Sequence, residues 1–226
     1  MAARIVPTGS AEHPGLQPYT AMRERDLIGR EGLFVAEGEV VVRVLVSRSR
    51  FAVRSLLLEK RRVEAVKDVL AALPEDVPAY VVPQDVMDGV VGFSIHRGVL
   101  ALGERGQPIA PAKLARGATV LVALVGLTNH DNVGSIFRNA AAFGADGVLL
   151  DPSSCAPLYR KAIRVSAGAA LVVPFARCAS VDEMFEVLAN ANIEPIALTP
   201  RGDETIDSLP PAPRALLLGT EGPGLP

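Results

Sequence analysis

The stretch Val120-Leu121-Val122-Ala123-Leu124-Val125-Gly126-Leu127-Thr128-Asn129-His130-Asp131-Asn132-Val133-Gly134-Ser135-Ile136-Phe137-Arg138-Asn139-Ala140 decides the fold. Its unbroken apolar run, Val120–Val125, predicts a strand buried on both faces, as in a parallel sheet covered by helices. A polar loop follows, and the spacing then predicts a helix over 133–143. Strand, loop and helix in that order form the repeating unit of an α/β sheet, and such sheets bind ligands outside the carboxyl ends of their strands. Chemistry is therefore expected in the loop and the first helical turns. Asn132 is placed to cap the helix, Gly134 permits close backbone approach, and Arg138 follows about a turn and a half later. Taken alone, these residues describe an ordinary capped helix carrying a solvated arginine, and it is their context that points further.

Working outward, the same alternation continues downstream. It predicts strand Gly147–Leu150, helix 158–167, strand Leu171–Pro174, helix 181–191, strand Pro195–Leu198 and strand Ala215–Leu218, ending in a glycine loop. Upstream, the pattern predicts helix 20–29, strand Leu33–Ala36, helix 38–48, strand Val53–Leu58, helix 61–73, strand Ala79–Val82, a short helix near 84–90 and strand Val99–Leu102. Residues 1–18 hold three prolines, two glycines and no apolar period, and are expected to be a loose leader. Glycines and prolines between Gly103 and Gly117 interrupt the alternation. The expected organisation is a leader over 1–18, one α/β domain over 19–103, a linker over 104–117 and a second domain over 118–226.

The composition suits a chain that buries a real core: 49% of residues are hydrophobic and 21% charged. No apolar run reaches the roughly 18 to 20 residues of a membrane span, and no signal peptide is recognisable at the start. The expectation is a cytoplasmic protein with no membrane partner. Cys155 and Cys178 match no zinc spacing and the three histidines are scattered, so no metal is expected. The net charge of −2 hides an asymmetry, because residues 1–62 carry eleven Lys or Arg against seven acids. That end is the positive one, and Arg23, Arg25 and Arg30 are its candidates for RNA backbone contacts, with Arg48 and Arg50 next. A solvated basic face is the alternative for each of them singly.

A second informative stretch is Leu216-Leu217-Leu218-Gly219-Thr220-Glu221-Gly222-Pro223-Gly224-Leu225, an apolar strand feeding a three-glycine loop. Such a loop exposes backbone groups able to hold a ligand, and it also occurs in turns of no chemical interest. Its GxxGxG spacing is not a dinucleotide fingerprint, and GxxxxGK[ST] is absent.

Three segments in order, Asn132-x-Gly134-x-x-x-Arg138-x-Ala140, Ser166-Ala167-Gly168-Ala169 before Val173-Pro174, and Leu218-Gly219-x-Glu221-Gly222-x-Gly224-Leu225, resemble the successive signatures of SpoU/TrmH methyltransferases of the SPOUT superfamily. Leu33-Phe34-Val35-Ala36-Glu37-Gly38 and Ser94-Ile95-His96-Arg97-Gly98-Val99-Leu100-Ala101 resemble the ribosomal-protein-like substrate-binding domain often fused to that enzyme.

The resemblance implies an α/β chain with an N-terminal RNA substrate-binding domain and a C-terminal SPOUT-type parallel sheet tied in a trefoil knot. It implies transfer of a methyl group from S-adenosyl-L-methionine (AdoMet) to a ribose 2′-hydroxyl of ribosomal or transfer RNA, by a homodimer. Arg138 and Asn132 take the catalytic places, Asn132 with helix capping as its alternative. Leu198, Thr199, Gly219, Glu221 and Gly222 take the cofactor places, Glu221 with an exposed loop acid as its alternative. The family's third motif, which completes the knot, is not present before Pro226, so the knot is expected to be incomplete and the chain a fragment. A non-catalytic RNA-binding protein of the same fold is the competing expectation.

Overall fold

A computed structural model describes residues 2–20, 31–92, 97–199, 202, 204–220 and 224–225. The chain forms two units, Met1–Gly106 with Leu158–Val172, and Gln107–Pro157 with Val173–Pro226.

The first unit contains β1 (Arg4–Pro7), β2 (Leu33–Glu37), α1 (Glu39–Arg48), β3 (Ala52–Glu59), α2 (Lys67–Ala72), β4 (Pro78–Val82), α3 (Gln84–Val91) and β5 (Val99–Glu104). Its five strands lie in the order β1-β4-β3-β5-β2. β4 pairs parallel with β1 and β3, whereas β5 pairs antiparallel with β3 and β2. Phe34, Leu56, Leu57, Leu58, Met87, Leu100 and Leu102 form the heart of its core.

Several expectations are corrected here. The leader is not loose, since β1 pairs with β4 and a 3-10 turn, Pro14–Tyr19, buries Leu16 and Tyr19 in the core. The Tyr19 hydroxyl meets Ser55 Oγ at 2.8 Å, and burial pushes its phenol above the ordinary range. A four-residue strand is too short to show a period, which is why composition misled. The helix expected at 61–73 is broken into 3-10 turns Lys60–Arg62 and Glu64–Val66 before α2 begins. The carboxylate of Glu59 holds the Arg61 N–H at 3.1 Å and fixes the first of these turns. The helix expected at 20–29 lies, from residue 21 on, outside the described residues, and Thr20 is extended backbone that caps the 3-10 turn.

In the second unit, the span expected as a linker contains α4 (Pro111–Ala115). Then come β6 (Val120–Leu124), α5 (His130–Ala142) and β7 (Gly147–Leu150). The chain next contributes α6 (Arg160–Val165) to the first unit and returns with β8 (Phe175–Arg177), α7 (Val181–Asn190), β9 (Glu194–Ala197) and β10 (Arg214–Leu218). All five strands are parallel, in the order β8-β7-β6-β10-β9. Leu121, Ala123, Leu124, Val148, Leu149 and Leu150 are fully buried, as an apolar run in a sheet covered on both faces requires.

The strand expected at 171–174 falls instead at Phe175–Arg177. Ala167 and Gly168 both take positive φ and reverse the chain, so the following apolar residues form a 3-10 turn, Ala169–Leu171. Pro174 cannot donate to a ladder, and the strand starts after it.

Candidate functional site

The strand order of the second unit sets the site. From β6 the chain moves outward through β7 and β8, then returns on the other side through β9 and β10, so the order reverses between β6 and β10. Ligands of open α/β sheets lie at such a reversal, beyond the carboxyl ends of the strands. Val125-Gly126 and Gly219-Thr220 stand there.

These two turns approach closely. Val125 N–H donates to the Leu218 carbonyl at 3.0 Å. Gly126 has φ +74, and a Cβ on it would come within 2.7 Å of Thr220 Cγ2. Gly219 is more constrained still, because a Cβ there would lie 2.4 Å from the Gly224 carbonyl carbon. Beyond it the backbones of Thr220 and Gly224 bond reciprocally, at 3.1 and 3.2 Å, folding the glycine loop back on its strand. Of the expected cofactor residues, Gly219 is thus a close-approach position, while Glu221 and Gly222 lie outside the described residues.

On the other side of the reversal, α5 presents Val133, Gly134, Phe137 and Ala140 to the interior. Arg138, Ser135 and Asn139 point outward, and Asn132 is half-buried. The cap is not Asn132. Asn129 fills that position, its side chain accepting the Asp131 N–H at 2.8 Å, and the helix starts at His130. Asn132 therefore sits inside the first turns, six residues and nearly two turns before Arg138.

A cluster that the sequence did not single out lies at the end of β7. Asp151 is 4% exposed and accepts bonds from the hydroxyls of Ser153 and Ser154 and from the Ser154 N–H at 2.8 Å. Burial alone would raise its carboxyl, but these bonds and one from the Gly126 N–H outweigh it and hold the pKa below the usual range. Ser154 Oγ also accepts the Leu127 N–H at 3.0 Å, and Arg177 donates to the carbonyls of Asp151 and Ser154. The buried carboxylate thus ties the loop after β6 to the loop after β7, and Arg177 at the end of β8 joins them through two main-chain carbonyls. The signal was Asp151-Pro152-Ser153-Ser154, an acid and two hydroxyls in a turn at a strand end.

Two cavities open at this edge. One, of about 360 Å³, is lined by Val125, Gly126, Asp151, Ser153, Thr220 and Gly224 among others. The other, of about 430 Å³, lies over β9 and is lined by Leu198, Thr199, Gly202, Glu204 and Ile206 among others. The expected cofactor residues Leu198 and Thr199 belong to the second, while Gly219 is among the described lining residues of neither. Both volumes fall within the range of small-molecule pockets.

The arginines proposed from sequence for RNA are only partly placed. Arg23, Arg25 and Arg30 lie outside the described residues. Arg48 is exposed, and the Arg50 guanidinium stacks 4.3 Å from the Phe51 ring centroid. Among the described residues, no His, Cys, Asp and Glu side chains group as a metal site. No helix there is long and apolar enough to cross a membrane.

Residues 119–226 match the SpoU rRNA Methylase family. A protein of Mycobacterium tuberculosis described as an uncharacterized tRNA/rRNA methyltransferase is 39% identical over 208 residues, covering 90% of this chain and 71% of that one. Among solved structures, the AdoMet-bound rRNA methyltransferase of Sinorhizobium meliloti superposes with a TM-score of 0.81 at 21% identity, covering 98% of this chain and 84% of that one. An RNA 2′-O ribose methyltransferase superposes with a TM-score of 0.74 at 23% identity, over 98% and 84% of the two chains. At these identities the two structural likenesses speak for a shared fold.

Proposed function

This chain belongs to the SpoU rRNA methylase family, and from that premise we propose that it methylates a ribose 2′-hydroxyl of ribosomal or transfer RNA with AdoMet as the methyl donor. The observation that carries the proposal is the strand reversal between β6 and β10, where Gly126 and Gly219 approach and from which the Asn132 and Arg138 helix departs. The reading carries with it an RNA substrate-binding role for the first unit, a trefoil knot to which 118–226 contributes only in part, a homodimer and a cytoplasmic location. Arg23, Arg25 and Arg30 are its RNA contacts.

Of the residues expected to hold the cofactor, Leu198 and Thr199 are those that fit it by lining a cavity. Gly219 leaves backbone where a side chain would collide, and Leu198 and Thr199 line a cavity that joins apolar walls to hydroxyl and carbonyl groups. Leu198, Thr199, Gly219, Glu221 and Gly222 would hold AdoMet, largely through backbone groups. Bound there, AdoMet supplies an electrophilic methyl on a sulfonium.

What remains for the chain is to bring a weak nucleophile into line and to stabilise the charge that develops on it. Arg138 has the exposed guanidinium for this task. A guanidinium offers five N–H donors and no acceptor, so Arg138 acts as a donor and a positive charge rather than as a base. It orients the 2′-hydroxyl, contacts the adjacent phosphate and stabilises the developing alkoxide. Asn132, nearly two turns earlier, fixes the loop and touches the substrate ribose or Arg138.

The test is nucleoside mass spectrometry on pooled ribosomal and transfer RNA incubated with the protein and AdoMet. A new 2′-O-methyl nucleoside is expected and would name the base. No new nucleoside, together with no AdoMet binding by equilibrium dialysis, would replace this reading with a non-catalytic RNA-binding protein.

A further inference from the structure

In the first unit, the carboxyl ends of β2 and β3 lie beside the amino end of β5, because β5 runs antiparallel to both. The backbone ties them directly: Gly38 N–H donates to the Val99 carbonyl at 2.9 Å and Glu59 N–H to the Gly98 carbonyl at 2.8 Å. Four arginines from three segments converge on this edge. A Cβ on Gly38 would meet the Arg97 guanidinium at 3.0 Å, and one on Gly98 would meet Glu59 Cβ at 2.9 Å and Arg62 Cγ at 3.0 Å. Arg61 Nε bonds Glu59 at 3.0 Å, and Arg160 of α6 lies 3.8 Å from Glu37. The row therefore runs Arg160, Arg97, Arg62, Arg61 along three neighbouring strand ends.

The charges along it are unequal in exposure. Glu37 and Glu59 are 7% and 4% exposed, whereas Arg61, Arg62 and Arg97 are exposed. Glu39, the next acid along the chain, is engaged by Arg43. Glu59 holds Arg61 and Glu37 faces Arg160 from beneath, and what faces outward at Arg61, Arg62 and Arg97 is cationic. Gly38 and Gly98, both buried and at positive φ, leave room for the Arg97 and Arg62 side chains to lie across the strand ends. No large apolar side chain is exposed at 59–62 or 97–99, and Val40 is the one exposed at 37–40, so the edge lacks the broad apolar centre of a protein interface. A row of guanidiniums with a single exposed valine at its flank suits a chain of phosphates, which a guanidinium can grip as a bidentate fork.

We propose that this edge of the first unit, built on Arg61, Arg62, Arg97 and Arg160, binds the phosphate backbone of the RNA substrate, with Glu37 and Glu59 as positioning residues. It rests on the reading above that the substrate is RNA, and it names a surface apart from Arg23, Arg25 and Arg30. Binding here is sequence-independent and strongly salt-dependent, since each phosphate neutralised releases counterions.

The experiment measures affinity for pooled ribosomal and transfer RNA against salt, using fluorescence anisotropy, for three proteins: wild type, Arg62→Gln/Arg97→Gln, and Lys113→Gln/Arg116→Gln. The last removes the same charge from exposed positions of the second unit. The edge variant is expected to bind about tenfold more weakly near 0.1 M salt and to lose roughly 1.4 to 1.8 from the log–log salt slope, at about 0.7 to 0.9 per phosphate. Its AdoMet affinity and melting temperature should match wild type, and the Lys113/Arg116 variant should bind as wild type does. An edge variant with the wild-type slope, or an equal loss in both variants, overturns the proposal while the methyltransferase reading stands. Wild-type protein that neither binds nor methylates RNA overturns both.

Discussion

Asp151 keeps its charge at 4% exposure because every donor around it is turned inward: two serine hydroxyls and the N–H groups of Ser154 and Gly126. Its carboxyl is held below the ordinary value of about 3.9, so the folded state is the form that prefers the carboxylate. The stabilisation is complete above the unfolded value and is lost as pH falls through the lower folded value. Asp146 acts in the same sense through the N–H groups of Val120 and Thr119, but it is exposed and contributes less. Asp151→Asn points an amide NH₂ at N–H groups that cannot turn away, and should cost about 1.5 to 3 kcal/mol near pH 7. Melting curves of wild type and variant should converge as pH drops below 4; parallel curves would remove Asp151 from the acid sensitivity. Arg138 is the opposite case, an outward side chain whose loss should leave the fold intact. Arg138→Ala is expected to lower methyl transfer by at least about 10²-fold, the usual cost of losing a donor to developing charge. AdoMet affinity should be unchanged, and retained turnover would sink the proposed role.

At the scale of elements, the helix that carries the site shows how far sequence reasoning reaches. Its existence, its buried face and the outward direction of Arg138 follow from apolar spacing, which is local information. Its start does not, because Asn129 and Asn132 are both good caps placed before helix-compatible residues. The choice falls to Asn129, whose side chain takes the Asp131 N–H and lets three more residues join the helix. Asn129→Ala should therefore lower stability by about 1 kcal/mol, read as a shift in urea midpoint, with Asn129→Asp close to wild type. The reverse pattern, a loss at Asn132→Ala alone, would mean the cap is misassigned. The glycine loop was visible as a motif, but its tightness was not. Only the pairing of β10 beside β6 brings Gly224 within 2.4 Å of where a Gly219 Cβ would stand. The Asp151 cluster escaped notice for the same reason, as its partners come from three strands that meet only in the folded sheet.

At the scale of the whole molecule, the α/β alternation and the parallel second sheet were legible, since nearly continuous apolar strands are what two-sided burial demands. The membership of segments was not. Residues 158–172 lie in sequence between two strands of the second sheet, yet they pack with the first unit, through contacts such as Arg160 to Glu37 and the close approach of Gly168 to Val44. The first twenty residues make the sharper case. Prolines and glycines gave them the composition of a tail, but the order of the sheet gives β1 an edge to pair with, Ile5 opposite Ala79 and Val6 opposite Tyr80. The prolines then serve the 3-10 turn, where Pro14 opens it and Leu16 is driven to zero exposure beside Tyr19. Burying a leucine is worth roughly 1.5 to 3 kcal/mol, and truncating one in a packed core costs roughly 2 to 5. Against a total stability of about 5 to 15 kcal/mol, that is a large share. Leu16→Ala is thus expected to lower the melting temperature and to speed amide hydrogen exchange in β4, whose outer edge β1 covers. Deleting residues 2–20 should do both more severely and expose β4 to proteolysis. If either protein melts and exchanges as wild type does, the segment is a passenger and β1 adds nothing to the sheet; if both shift, residues that read as a tail are part of the core on which the first unit depends.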